Sequence, residues 1–210
     1  MSRVSISIFL SCAVVVAAAT LLAFGQHGAG RARPHGAAHE AKAAIPLILQ
    51  EADGDRLVHR AGPLRGVPFT IKVDDQFGSS EDFFVFTEAL AAGQTIPFHK
   101  HENAEEILIL EEGGATVTVG SKRDVAGPRS IIFIPRNTWI SASNTGGKEI
   151  HLVSIFSRHG FEHYMRAISV KPGGPLTPLS PDELQRLRAL GHAVYWDSST
   201  GAYPPGVAHP

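Results

Sequence analysis

From Ile45 onward, short apolar runs alternate with turn residues. Phe69–Val73, Phe83–Leu90, Glu106–Glu111, Ala115–Val119, Ser130–Ile134, Trp139–Ser143 and Glu149–Ser157 are rich in Val, Ile, Phe or Thr and read as strands. Gly113-Gly114 and Asn144-Thr145-Gly146-Gly147 read as hairpin turns, and Gly120-Ser121-Lys122 and Ala126-Gly127-Pro128 as corners. A strand about every ten residues, with no helix between, predicts an all-β sandwich or barrel. Two helices follow. Phe161, Tyr164, Met165 and Ile168 fall on one helical face. Ser180-Pro181-Asp182-Glu183 combines an N-cap Ser, a Pro at the first helical position and a Glu three residues after the cap. Leu184, Leu187 and Leu190 then form an apolar stripe that Gly191 ends. Both helices are expected to cover the outside of the β-structure. The Pro/Gly-rich tail from Asp197 to Pro210 is expected to be loose.

The beginning of the chain follows a different pattern. Met1-Ser2-Arg3 is a short basic stretch, Val4 to Phe24 is mostly apolar, and Ala23-Phe24-Gly25 offers a small-x-small cleavage site. Residues 1–25 therefore read as a secretory signal peptide, with an uncleaved membrane anchor as the alternative. Cys12 sits too early in the apolar run to favour lipidation. Residues 26–44, rich in Ala, Gly, Arg, Pro and His, read as a disordered linker. His27, His35 and His39 could collect a metal weakly there, but a solvated tether explains them as well. The domain plan is then a signal peptide (1–25), a linker (26–44), a β-domain (45–170) and a helical extension with tail (171–210). The expected location is secreted or periplasmic, with no stable membrane association after cleavage.

Composition narrows the function. Of 210 residues, 43% are hydrophobic and 19% charged, enough to bury a core. Nineteen basic against twenty acidic residues leave a net charge of −1, which argues against a general nucleic-acid binder. Cys12 is the only cysteine, so a chain cleaved after Gly25 has neither disulfide nor thiol nucleophile.

The chemistry gathers between Gly93 and Gly113, in GQTIPFHKHENAEEILILEEG. His99 and His101 are two apart, so in an extended strand both imidazoles leave on one face while Lys100 points away. A carboxylate follows after a short turn, at Glu105 or Glu106. Two His and one carboxylate on adjacent strands can converge on a divalent metal as a facial triad with open positions.

This stretch resembles the first motif of the cupin superfamily, G-x5-H-x-H-x3,4-E-x6-G. Gly93, His99, His101, Glu106 and Gly113 meet every spacing. The resemblance selects Glu106 over Glu105 as the ligand, leaving Glu105 outward or as a base beside it. The second cupin motif, G-x5-P-x-G-x2-H-x3-N, is only partly matched. Pro135 and Asn144 fit, Gly127 is two residues early, and Asn137 stands where the motif has Gly. Ile140 stands where it has its fourth ligand, a His. Three protein ligands leave more open positions and fewer bonds to the ion. His151 on the next strand is a candidate substitute, against an ordinary surface or core role. His159 and His163 lie after the barrel and read as structural. The resemblance spans roughly residues 67–166, and HGFEHYMRAIS with PLSPDELQRL is similar to the tail of bacterial single-domain (type 2) cupins. It implies a jelly-roll β-barrel with the C-terminal helices packed outside, and a homodimer as one expected assembly.

Inward residues of such a barrel would form a substrate cavity. Phe84, Phe86, Phe98, Phe133, Trp139 and Ile140, with Ile107, Ile109 and Phe156, are the candidates, against a plain core role. That lining suits a small apolar or aromatic molecule. The resemblance implies a metal-dependent dioxygenase-type oxidoreductase, with Glu106 as ligand and base; isomerisation and decarboxylation stay open. A non-catalytic small-molecule-binding cupin with weak or no metal is the alternative. A seed-type storage protein usually carries two barrels, and this chain has room for one. His/His/Glu accepts iron, manganese, nickel, copper or zinc, so the residues do not choose among them.

Overall fold

Strand pairing resolves into two antiparallel sheets in the computed structural model, which describes residues 43–209. The expected signal peptide and all but the last two residues of the expected linker lie outside the described residues. The larger sheet runs in the order β11 (Ser169–Val170), β1 (Asp55–His59), β2 (Pro68–Val73), β3 (Phe84–Leu90), β10 (Ile150–Phe156), β5 (Glu106–Glu112) and β8 (Ser130–Ile134). The smaller runs β12 (Ala193–Tyr195), β4 (Thr95–His101), β9 (Ile140–Ser143), β6 (Ala115–Val119) and β7 (Lys122–Ala126). This is an all-β jelly-roll arrangement, followed by helices α1 (Phe161–Ala167) and α2 (Pro181–Leu190).

The seven strands read from residue type fall within one residue of the observed bounds at each end. Three of the five strands not read have identifiable causes. β7 is KRDVA, an exposed edge strand with no apolar face to reveal it. β4 contains Pro97, which normally demotes a run. Here Pro97 falls where the β4–β9 register shifts between Ile96 and His99, so its missing N–H breaks no regular ladder. β12 lies in the segment after α2 and adds to β4 as an edge strand.

Alternation along the strands builds the interior. Phe84, Phe86, Glu88 and Leu90 of β3 are buried, as are Glu106, Leu108 and Leu110 of β5 and Ile150, Leu152, Ser154 and Phe156 of β10. One core cluster joins Leu108, Leu110, Ile134 and Leu152 of the larger sheet to Val117, Ile140 and Ala142 of the smaller. The other gathers Phe69, Ile71, Phe84, Phe86 and Phe156 around Phe161, Tyr164 and Met165 of α1. Both helices pack on the β-structure, to different depths. α2 contributes no fully buried residue, but α1 forms part of the core. Ser180 caps α2 as expected, accepting the Glu183 N–H at 3.2 Å. Gly191 ends α2 without a left-handed turn (φ −84°); a Cβ there would stand 2.4 Å from Tyr164 Cβ, so glycine permits the close approach of α1.

The tail is not loose. Trp196 Nε1 donates to the Ala202 carbonyl, Tyr203 packs edge-on against Phe98, and the Ala208 N–H donates to Gly120 O. Its aromatic anchors outweigh its Pro/Gly content.

Two non-glycine residues mark where the second motif has glycine. Arg129 (φ 66°) and Asn137 (φ 58°) both hold left-handed backbone. Asn tolerates that conformation, but Arg pays a steric cost of about 1 kcal/mol. Arg129 is exposed, so Arg129→Gly is expected to raise stability by about 0.5–1 kcal/mol, read from the urea midpoint.

Candidate metal centre

β4 and β5 deliver the three motif side chains to one point. The donor atoms of His99, His101 and Glu106 all lie within 4.8 Å of one another, and all three residues are buried. The His99 and His101 rings are 4.9 Å apart and nearly perpendicular. Glu106 Oε2 lies 3.6 Å from His101 Nε2, too far for a hydrogen bond. His99 Nδ1 is 2.9 Å from the Pro97 carbonyl. A carbonyl only accepts, so Nδ1 carries the proton and Nε2 keeps the lone pair. Both His101 ring nitrogens and Glu106 Oε2 are buried without a hydrogen-bond partner. Each such orphan costs roughly 1–3 kcal/mol. Two imidazoles and a carboxylate left unpaired at this spacing fit a divalent ion.

Burial sets the protonation states. It lowers the His99 imidazole, against the opposing Pro97 hydrogen bond and the nearby Glu88 charge, and it lowers His101 further, with His99 adding to the effect. Both rings are therefore neutral, the form that ligates. Burial raises the Glu106 carboxyl to about 8; a Ser154 hydrogen bond opposes this and the Glu88 charge adds to it.

His99 and Glu106 border a small, partly open cavity of about 60 Å³, whose wall also includes Phe86, Phe156, Phe161 and Tyr195. That is room for a few waters or a ligand of a few heavy atoms. Tyr195 stacks on His99 at 5.3 Å and 18°, and the Arg188 guanidinium lies over the Tyr195 ring, 4.5 Å from its centre. Burial and the neighbouring Tyr164 raise the Tyr195 phenol well above its ordinary value, against Arg188, so it stays a neutral hydroxyl.

The expected substrate-facing set divides. Phe86 and Phe156 line the cavity, whereas Phe84 is buried behind them, stacked between both rings. Ile140 is buried beside His99 in register and belongs to the aliphatic core. Five others point the wrong way. Phe133 is 56% exposed and Ile107 37%, because in β5 and β8 the inward positions are Glu106, Leu108 and Ile134. Ile109 shares the outward parity of Ile107. Phe98 alternates with His99 and packs against Tyr203, and Trp139 packs on Trp196 with Lys100 Nζ 5.3 Å from its ring centre, on the outer side. Lys100 points away from the histidines as expected. His151 is no substitute ligand: its half-exposed side chain pairs with Glu149 at 3.5 Å and borders an open outer groove.

Residue-type reasoning missed a second buried pair in the same cavity. His59 Nε2 and Glu88 Oε2 are 3.6 Å apart, with residue exposures of 3% and 8%, and neither atom has a hydrogen-bond partner. A signal existed for Glu88. It occupies the inward series Phe84, Phe86, Glu88, Leu90, where a carboxylate is out of place unless it serves the interior.

Residues 86–156 match the family model described as Cupin domain. This stretch, 71 of the 210 residues, is similar to the cupin superfamily. The chain is similar to Uncharacterized protein YrkC of Bacillus subtilis (strain 168), 28% identical over 85 residues that span 38% of this chain and 46% of that protein. The match thus covers less than half the length of that curated relative. Among solved structures, a Thermotoga maritima protein described as a predicted oxalate decarboxylase is 15% identical with TM-score 0.48, covering 54% of this chain and 100% of that one. An oxalate oxidase is 22% identical with TM-score 0.40, covering 44% of this chain and 51% of that one.

Proposed function

We propose that the chain binds one divalent transition metal through His99, His101 and Glu106 and acts as a metal-dependent, dioxygenase-type oxidoreductase on a small molecule. The observation that carries this reading is the convergence of three buried ligand residues whose donor atoms lie within 4.8 Å of one another, with His101 and Glu106 Oε2 unpaired and His99 and Glu106 on the cavity wall. A bound ion would supply Lewis-acid polarisation and open positions for small ligands.

The chain's own residues supply the rest. Pro97 fixes the His99 tautomer, and the His101 ring is wedged edge-on against Phe156 and Phe161 at 4.9 and 4.4 Å. Phe86, Phe156 and Phe161 give the cavity an apolar wall beside the ligand residues. The His59–Glu88 pair sits on the wall as a proton donor and acceptor, the acid–base element that His/His/Glu alone lacks. A cavity of about 60 Å³ restricts the substrate to a few heavy atoms unless α1 moves.

A non-catalytic binding cupin is the second reading, favoured by Ile140 in place of a fourth ligand. The test loads the metal-free, untagged chain with iron(II) or manganese(II) and follows dioxygen uptake against a panel of small hydroxy, keto and carboxylic acids. Turnover above that of free ion, lost in Glu88→Gln with metal content retained, supports the enzyme. One tightly held ion without turnover supports the binding module, and no held ion under any metal supply ends the enzyme reading. We also propose residues 1–25 as a cleaved export signal; a mature N-terminus at Gln26 in the exported fraction would establish it.

A further inference from the structure

A second cluster of ligand atoms stands apart from the first, where α1 begins. His159 precedes Gly160, the N-cap. Glu162 and His163 lie in the first turn, and the non-helical turn at Gly160 (φ 128°) leaves His159 beside them. Their donor atoms lie within 4.8 Å of one another. Glu162 is 0% exposed. Its Oε2 accepts the Gly160 N–H at 2.5 Å, closing the helix start. Its Oε1 is buried and has no hydrogen-bond partner. Oε1 lies 3.7 Å from His159 Nδ1 and 3.6 Å from His163 Nε2.

Those separations are too long for hydrogen bonds. They are close to what one ion requires. With bonds of about 2.1 Å to nitrogen and oxygen, two donors at a tetrahedral angle stand about 3.4 Å apart. The imidazoles are partly exposed, at 54% and 37% of their side-chain area, so each can shift by the remaining few tenths of an ångström. The carboxylate is held still by the Gly160 N–H. The cluster opens onto a solvent-filled groove that Glu81, Asp82 and Glu105 border together with Arg136 and Arg158. The groove gives an ion an entry path and leaves its remaining positions to water. The helix dipole opposes a cation at this end by about 0.3–1 kcal/mol. That is small against two imidazoles and a carboxylate.

We infer that His159, Glu162 and His163 form a second divalent-cation site, of the zinc, copper or nickel class, that clamps the start of α1. Two nitrogen donors and one oxygen disfavour calcium and magnesium. The clamp has a structural consequence. α1 carries Phe161 against the His101 ring and sends Phe161, Tyr164 and Met165 to the cavity wall. An ion at residues 159–163 would fix the element that forms part of that wall. The inference does not depend on the first site being occupied.

The test uses the untagged chain stripped with chelator, then titrated with zinc(II) by calorimetry and with cobalt(II) by visible absorbance. His159→Gln/His163→Gln is expected to bind one zinc equivalent fewer than wild type and to lose one set of cobalt bands. Both histidines are partly exposed, so the variant should keep its far-ultraviolet circular dichroism. Glu162→Gln retains an acceptor for the Gly160 N–H but removes the charge, and should weaken this equivalent at least tenfold. If the first site also binds, wild type takes two equivalents and the double variant one; if it does not, the counts are one and none. Equal stoichiometry in wild type and the double variant overturns the inference. So does undiminished affinity in Glu162→Gln, which would mean two surface imidazoles acting without the buried carboxylate.

Discussion

Glu106→Gln is expected to stabilise the metal-free chain at neutral pH and to lower its affinity for a divalent metal at least about 100-fold, since losing even a residue behind a ligand costs 10–100-fold. Both effects follow from one buried carboxyl. In the unfolded chain it titrates near its ordinary value of 4.5; in the fold, burial raises it to about 8. Between those values the folded chain holds a proton that the unfolded chain has released. Stability contributed by the neutral carboxyl is fully present below about pH 4.5 and is lost as pH rises through about 8. At pH 7 the penalty relative to a group that never ionises is on the order of 3 kcal/mol. Gln removes that dependence, so the two proteins should converge at acid pH and the variant should gain progressively towards pH 8. Urea midpoints across that range read the effect. In wild type an ion must displace the proton, so metal uptake at pH 7 should release about one proton per ion, seen in buffers of differing ionisation enthalpy. A variant with unchanged pH dependence would mean that Glu106 is not the buried acid. One with unchanged metal affinity would mean that it is not a ligand.

The same alternation that made the strands legible hid part of the site. Val, Ile and Phe runs identify β5, β8 and β10 because half-buried strands need them. The spacing of His99, His101 and Glu106 carries over because a strand and a short turn leave those side chains few directions to take. Parity is stricter than composition, however. Glu106 and Ile107 are adjacent and cannot both face inward, so a pocket list chosen by aromatic character placed Ile107, Ile109 and Phe133 inside when they lie outside. Tyr195 and His59 reach the cavity from opposite ends of the described chain. Only the pairing of β12 with β4, and of β1 with β2, brings them there. Nothing local in the sequence encodes those long-range pairings. α1 is an intermediate case: its apolar face was readable, but not that the face would also line the cavity.

Phe156→Ala is expected to cost about 3–5 kcal/mol of stability and, separately, to weaken metal binding about tenfold. Phe156 is 1% exposed and stands between Phe84, Phe86 and Phe161, with ring centroids 5.4, 6.1 and 5.2 Å away. Truncation removes the ring that joins Phe84 and Phe86 to Phe161 and leaves a void that α1 cannot fill without shifting. At about 2–4 °C per kcal/mol for a chain of this size, the melting point should fall by roughly 6–20 °C. The effect on metal has a different origin. Neither nitrogen of His101 makes a hydrogen bond, so no polar partner orients the ring. Phe156 and Phe161, meeting it at 76° and 75°, hold its plane by packing, together with the perpendicular His99. Removing one of these walls frees the ring to rotate, and an ion must then restore the lost order at the expense of affinity. Phe156→Leu separates the two effects. It keeps most of the volume, so stability should fall by only about 1–1.5 kcal/mol, while the flat face beside the imidazole is still lost. Calorimetric titration of both variants at a temperature where each is folded reads the affinity alone. If both bind metal as tightly as wild type, the His101 ring is positioned by something other than its aromatic neighbours.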